Sequence, residues 1–206
     1  MSRIFKYGGV AASIILIAVG IGAIVIGASG RSDVRDQVGQ ENIVGTPDMT
    51  PSQTAAAVKA AKLDVAVPTC SVAGEKIDTG GEAKCFAQYM RIHALEATGG
   101  QTYAEMGRFL DKGGKPTNDE AAAAMDPKTG KPVENGARNL WVTETALGTA
   151  LNTSYFAQQV ALFSIVMGIA LVLVGIGFLV LTLGPLHEML TRRPETAGST
   201  VPAAQS

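Results

Sequence analysis

The stretch Val160–Leu183, VALFSIVMGIALVLVGIGFLVLTL, carries no charged side chain, and only Ser164 and Thr182 bear a hydroxyl. A helix of that length, rising about 1.5 Å per residue, covers the roughly 30 Å of a bilayer's hydrocarbon. Backbone amides in such a medium must bond within their own segment, so helix is the form open to it. A second apolar run, Gly8–Ala28, lies near the start of the chain, and a long polar stretch separates the two. The sequence therefore predicts an all-α fold: a two-span transmembrane helical hairpin whose helices extend into a small extracytoplasmic helical cap. The expected divisions are a cytoplasmic start at 1–7, a first span at 8–28, outer stalks and cap at 29–158 with a flexible insert at 111–137, a second span at 159–183, and a disordered cytoplasmic tail at 184–206. The first run could instead be a cleaved signal peptide, with Gly27-Ala28-Ser29 as the cleavage site. Its apolar part is longer than a typical signal core, which favours retention.

Charge sets the expected orientation. Arg3 and Lys6 precede the first span and Arg192 and Arg193 follow the second, while no Lys or Arg occurs between Arg138 and Arg192. Basic residues at span ends favour the cytoplasm. Both termini are thus expected inside a plasma membrane, against the pull of Arg31 and Arg35 just after the first span. A net charge of −1 gives no ground for a nucleic-acid partner. Aromatic residues make up only 5% of the chain, so a large soluble core is not expected.

Small residues recur every seven positions in both spans: Ser13, Gly20 and Gly27 in the first, Ala161, Gly168 and Gly175 in the second. Such stripes let helix backbones approach closely in lipid, where no hydrophobic drive brings helices together. They are expected to pack the spans on each other in antiparallel sense; the plainer reading is that glycine is common in membrane helices.

In the polar stretch, Val34 and Val38 continue the face of Gly27, so the first helix is expected to run to about Gln40. Thr50-Pro51-Ser52-Gln53 has the spacing of a capping box with proline at the first helical position. Glu82–Thr98 reads as a helix with Phe86, Met90, His93 and Ala97 at helical spacing and Tyr89 beside them, closed by Gly99-Gly100. Thr102-Tyr103-Ala104-Glu105 reads as the start of a short helix toward Leu110, and 111–137 as a loop with a helical turn or two at 118–125. From Arg138 the helical pattern returns and meets no proline before Pro185. Cys70 and Cys85 both fall in the outer segment, where a pair of thiols forms a disulfide; two reduced buried thiols are the alternative.

Chemistry is sparse. The two histidines, His93 and His187, stand on opposite sides of the membrane in this topology, which excludes an iron centre of two histidines and a carboxylate within one chain. No phosphate loop or zinc-protease motif occurs, and no metal or cofactor is expected. His93 with Glu96, and Tyr103 and Glu105 nearby in sequence, form the best candidate functional cluster, able to bind a metal or sense pH; with the mobile insert, His93 could also serve a small-molecule or pH sensor. The bland reading is a half-buried histidine bonded to a neighbour.

The block AQYMRIHALEATGGQTYAE at 87–105, with ARNLWVTETALGTALNTSYFAQQVALFSIVMGIALVLVGIG from Ala137 on, resembles a group of small actinobacterial membrane proteins. The matching positions are His93–Glu96, Gly99–Glu105 and Asn152–Phe156, and the likeness covers the first span and the second half of the chain. The cysteine pair and the 111–137 insert depart from that pattern. The family is often labelled an aromatic ring-opening dioxygenase small subunit. The resemblance implies a bacterial envelope protein and, through its label, an auxiliary subunit of a ring-cleaving oxygenase. From the residues themselves the expectation is a non-enzymatic interaction protein that sits in the lipid bilayer and binds a membrane or envelope partner, or further copies of itself.

Overall fold

The computed structural model describes residues 2–184, with side chains from Lys6 on. The expected tail, with His187, Arg192 and Arg193, lies outside the described residues except for Gly184. The chain is mostly helical: α1 (Ser2–Gln40), α2 (Pro51–Ala60), α3 (Gly80–Ala97) and α4 (Gly136–Leu183), with two short strands, β1 (Phe109–Leu110) and β2 (Pro116–Thr117). It divides into two compact units. One holds residues up to Ile26 and those from Phe163 on; the other is Gly27–Leu162.

The first unit is made of the apolar parts of α1 and α4, and both helices are long and apolar enough to cross a membrane. Ile14, Val19 and Ile26 of α1, and Phe163, Leu173 and Val180 of α4, are all more than half exposed. The two segments meet at small residues. A Cβ built on Gly20 would lie 2.7 Å from the Gly168 carbonyl oxygen, and one on Gly168 would lie 2.5 Å from the Gly20 carbonyl oxygen. Gly175 faces Ser13 and Ile17 in the same way, and Gly9 faces Thr182. Partner numbers fall along α4 as they rise along α1, so the two segments are antiparallel. Ser13 is wholly buried and donates its hydroxyl to the Gly9 carbonyl at 2.8 Å, which satisfies a polar group in an apolar contact.

The second unit is built on α3. Thr79 caps it with a full capping box: its hydroxyl accepts from the Glu82 N–H, and Glu82 accepts from the Thr79 N–H at 3.0 Å. At the far end Gly99 and Gly100 take φ of +63° and +80°, the left-handed turn that the double glycine permits. Gly80 lies so close to the α4 backbone that an added Cβ would come within 2.8 Å of Ser154 O, and its N–H donates to Gln158 Oε1 at 2.6 Å. The core gathers Val38, Met49, Val72, Ile77, Tyr89 and Leu151. Tyr89 is fully buried and donates its hydroxyl to the Cys70 carbonyl at 2.5 Å; burial raises its phenol above the usual pKa of 10.0. The disulfide Cys70–Cys85 ties the loop before α3 to its second turn. A smaller cluster, Ala94, Leu95, Met106 and Trp141, packs the end of α3 on the start of α4.

Two expectations are corrected here. No helix runs from Thr102 toward Leu110: Glu105 does close the capping-box bond to the Thr102 N–H at 2.7 Å, but the chain turns and enters β1. Nor does 118–125 form a helix: it holds a single turn in which the Ala123 N–H donates to the Glu120 carbonyl at 3.2 Å. β1 pairs antiparallel with β2, and single bridges join Phe109 to Glu134, Asp111 to Ala123 and Met125 to Pro132. These pairs rest on backbone bonds and Asx turns such as Asp126 accepting from Lys128 N–H at 2.7 Å, so they leave no apolar periodicity to read.

Candidate functional site

The face of α3 that the sequence singles out is only partly used by the core, against which Phe86 and Met90 pack. Cys85, Tyr89 and Ile92 are buried, whereas Phe86, Met90 and His93 are only half-buried and Ala97 is exposed. Phe86, Met90 and His93 also form a wall of an apolar groove of about 740 Å³. Val38 contributes from the end of α1, Glu41, Ile43 and Met49 from the loop after it, and Leu147, Leu151 and Ser154 from α4. On α4 these positions are three and four apart, one helical stripe. A second cleft of about 340 Å³ shares Met90 and His93 and runs on to Ala97, Leu140 and Thr143. From Leu140 to Ser154 the two clefts follow about 21 Å of helix α4. Leu140 and Leu147 are 44% and 47% exposed, so this wall is open to solvent.

Polar groups stand at the edges. His93 Nε2 lies 3.0 Å from Asp48 Oδ2, which pins the 43–50 loop to α3. The Thr46 hydroxyl bonded to Asp48 is the main cause that holds its carboxyl below the usual 3.8; its own backbone amide and His93 add to this, and partial burial opposes it. On the far side of Met90, Arg91 lies over the Trp141 ring at 3.9 Å and donates to Glu144 at 3.0 Å. Glu144 is 6% exposed, so this guanidinium neutralises a carboxylate taken out of water.

The candidate cluster His93, Glu96, Tyr103 and Glu105 does not converge. His93 takes Asp48, forty-five residues earlier in the chain, as its partner. Glu105 is spent on Thr102, whose backbone and side chain hold its carboxyl below the usual value. Tyr103 lies against the Arg138 guanidinium at 4.0 Å. Glu96 is half-buried and in no ion pair among the described residues. Among the described residues no three His, Cys, Asp or Glu side chains come together as a metal site. Of the stripe residues, Ser13, Gly20, Gly168 and Gly175 lie at the contacts of the first unit. Gly27 and Ala161 belong to the second unit, where Ala161 lies 3.5 Å from a Cβ built on Gly30.

Sequence reasoning missed Asp48, which no local spacing links to His93. It also missed Leu147 and Leu151 as groove residues, although their four-residue spacing was visible. No protein-family model, curated protein or solved structure matches the chain.

Proposed function

We propose that this is a non-enzymatic plasma-membrane protein that crosses the bilayer twice as an antiparallel hairpin, keeps both termini in the cytoplasm, and binds an apolar helix of a membrane or envelope partner in the groove between α1, α3 and α4. The single observation that carries the reading is the groove itself. Together with the cleft that continues it past Met90 and His93 to Leu140, it follows about 21 Å of α4, which matches roughly four turns of a docked helix laying its apolar face on Phe86, Met90, Leu147 and Leu151. A chain that needed Phe86 and Met90 only for its own stability would be expected to cover them. The exposed apolar exterior of the first unit supports the membrane part, since surfaces of that kind are not left to water. The disulfide supports an oxidising, outer location for the segment that carries it.

The test is site-specific photocrosslinking in intact cells. A photoreactive residue at Leu147 or Leu140 should give a discrete protein adduct. The same residue at Thr149, exposed on α4 but outside the groove lining, should give none. Adducts to lipid or a small molecule alone would show that the groove takes an amphiphile rather than a helix, and no adduct at all would remove the reading. Recovery of an iron oxygenase as the adduct would identify the partner in the sense that the family label implies.

A further inference from the structure

A second, polar cleft lies away from the groove, where the turn after α3 meets the start of α4. It has a volume of about 200 Å³ and is lined by Tyr103, Arg108, Phe109, Glu134, Arg138 and Asn139, among others. Among the described residues, its two guanidinium groups lie against aromatic rings. Arg138 lies 4.0 Å from the Tyr103 ring centre and Arg108 lies 5.3 Å from that of Phe109. The ion pairs among the described residues are Arg35–Asp78, Arg91–Glu144 and His93–Asp48, so neither arginine of the cleft has a carboxylate. Arg138 Nε is moreover buried and without a hydrogen-bond partner, a state that folded proteins seldom leave uncompensated. The scaffold around it is well held. Asn135 is buried, donates from Nδ2 to the Gly107 carbonyl at 2.9 Å, and accepts from the Ala137 N–H at the start of α4 at 3.1 Å. Its backbone N–H donates to the Arg108 carbonyl at 2.9 Å, which fixes the two arginine-bearing segments side by side.

We propose that this cleft binds a small oxyanion, a carboxylate or phosphate group, between Arg108 and Arg138. Guanidinium presents its donors in a planar fork that matches either group, and stacking on an aromatic ring holds that plane while leaving the edge free. An oxyanion in the cleft would bond the terminal donors of the Arg138 fork and, with a small shift of that side chain, supply the acceptor that the buried Nε lacks. Tyr103 sits in a turn and is 43% exposed, so its ring has room to follow the shift and keep the stack. The Asn139 amide is a third donor on the same rim. Glu134 is the sole acid of the lining; it pairs with neither arginine and weakens the site for an anion without filling it. This site does not depend on the groove's role.

The experiment is titration of the detergent-solubilised full chain at low ionic strength with succinate and, separately, inorganic phosphate, followed by calorimetry. Saturable binding of at least one probe is expected, and the better probe assigns the ligand to carboxylates or to phosphates. Arg138→Gln and Arg108→Gln should each weaken it about tenfold, the loss of one charge-assisted contact. Glu134→Gln should tighten it about two- to fivefold by removing a like charge. That gain cannot come from misfolding, so it keeps the test sound if an arginine variant unfolds. Thr149→Ala, on α4 but lining neither cleft, should leave the affinity unchanged. Absence of saturable binding with both probes, an affinity in either arginine variant unchanged from that of the unsubstituted chain, or no tightening in Glu134→Gln would overturn the proposal.

Discussion

The glycines of the first unit make opposite predictions within one helix, and this allows a sharp test. A Cβ on Gly168 would sit 2.5 Å from the Gly20 carbonyl oxygen and 2.9 Å from the Ile24 nitrogen, both backbone atoms that no rotamer change can move away. Bringing the first distance to an ordinary 3.4 Å requires the two segments to part by about 0.9 Å. A gap of that size forfeits roughly a quarter to a half of each dispersion contact along the seam. Overpacking of this kind costs about 1–3 kcal/mol, whereas replacing a helical glycine returns about 0.8 kcal/mol in propensity. Alanine at Gly168 should therefore destabilise by about 0.2–2 kcal/mol net, and leucine by clearly more. Gly177 and Gly22 have nothing within 4 Å of a built Cβ, so leucine there should be neutral or slightly stabilising. The assay is thermal unfolding in mild detergent, together with disulfide formation between Gly9→Cys and Thr182→Cys, positions that face each other across the seam. Gly168→Leu should lower the unfolding temperature and slow the crosslink, and Gly177→Leu should do neither. Equal behaviour of the two would refute the packing argument.

Three further outcomes follow from the second unit. Reduction of Cys70–Cys85, or the double Cys→Ala variant, opens a loop of fifteen residues and should cost about 3 kcal/mol in chemical denaturation of the isolated protein. Arg91→Ala leaves the buried Glu144 with only the Thr145 hydroxyl at 3.3 Å; since Arg91 is itself nearly half exposed, the loss should be about 1–3 kcal/mol, and Glu144→Gln in the same chain should recover part of it. Asp48 has a lower pKa folded than its usual 3.8, so its contribution is present above that pH and is lost as pH falls through the folded value. Glu105 and Asp126 act in the same direction from 4.5 and 3.8. Denaturation midpoints should therefore fall steadily below about pH 4, and Asp48→Asn should flatten that slope.

What could be read from the sequence divides along physical lines. Local signals were legible: the end of α1 at Gln40, the Thr50–Pro51 start of α2, and the left-handed close of α3 at Gly99-Gly100 all come from residues within one turn of the feature. The same logic should have given the start of α3, because Thr79-Gly-Gly-Glu82 is a capping box in plain view. Non-local pairings were not legible. Asp48 reaches His93 because a loop folds back on α3, and nothing in the spacing of either residue encodes that. The β pairs around Phe109 were invisible for a related reason: strands of two residues carry no alternation. On α3 the helical spacing was legible, but not which side the core would take. Phe86, Met90 and His93 share the helical spacing of a buried stripe, yet the core takes Cys85, Tyr89 and Ile92, and the stripe is left to line the groove.

The claim on which the proposed function rests is that residues 29–158 face outward while both ends stay inside. It is tested directly by labelling intact cells with a membrane-impermeant maleimide after single substitutions to cysteine in a Cys70→Ala, Cys85→Ala background. Cysteine at Asn118, beside β2 in the second unit, should label without permeabilisation, and cysteine at Ser2 or Ser206 should label only after it. Labelling of the terminal positions in intact cells, or protection of position 118, would contradict the account.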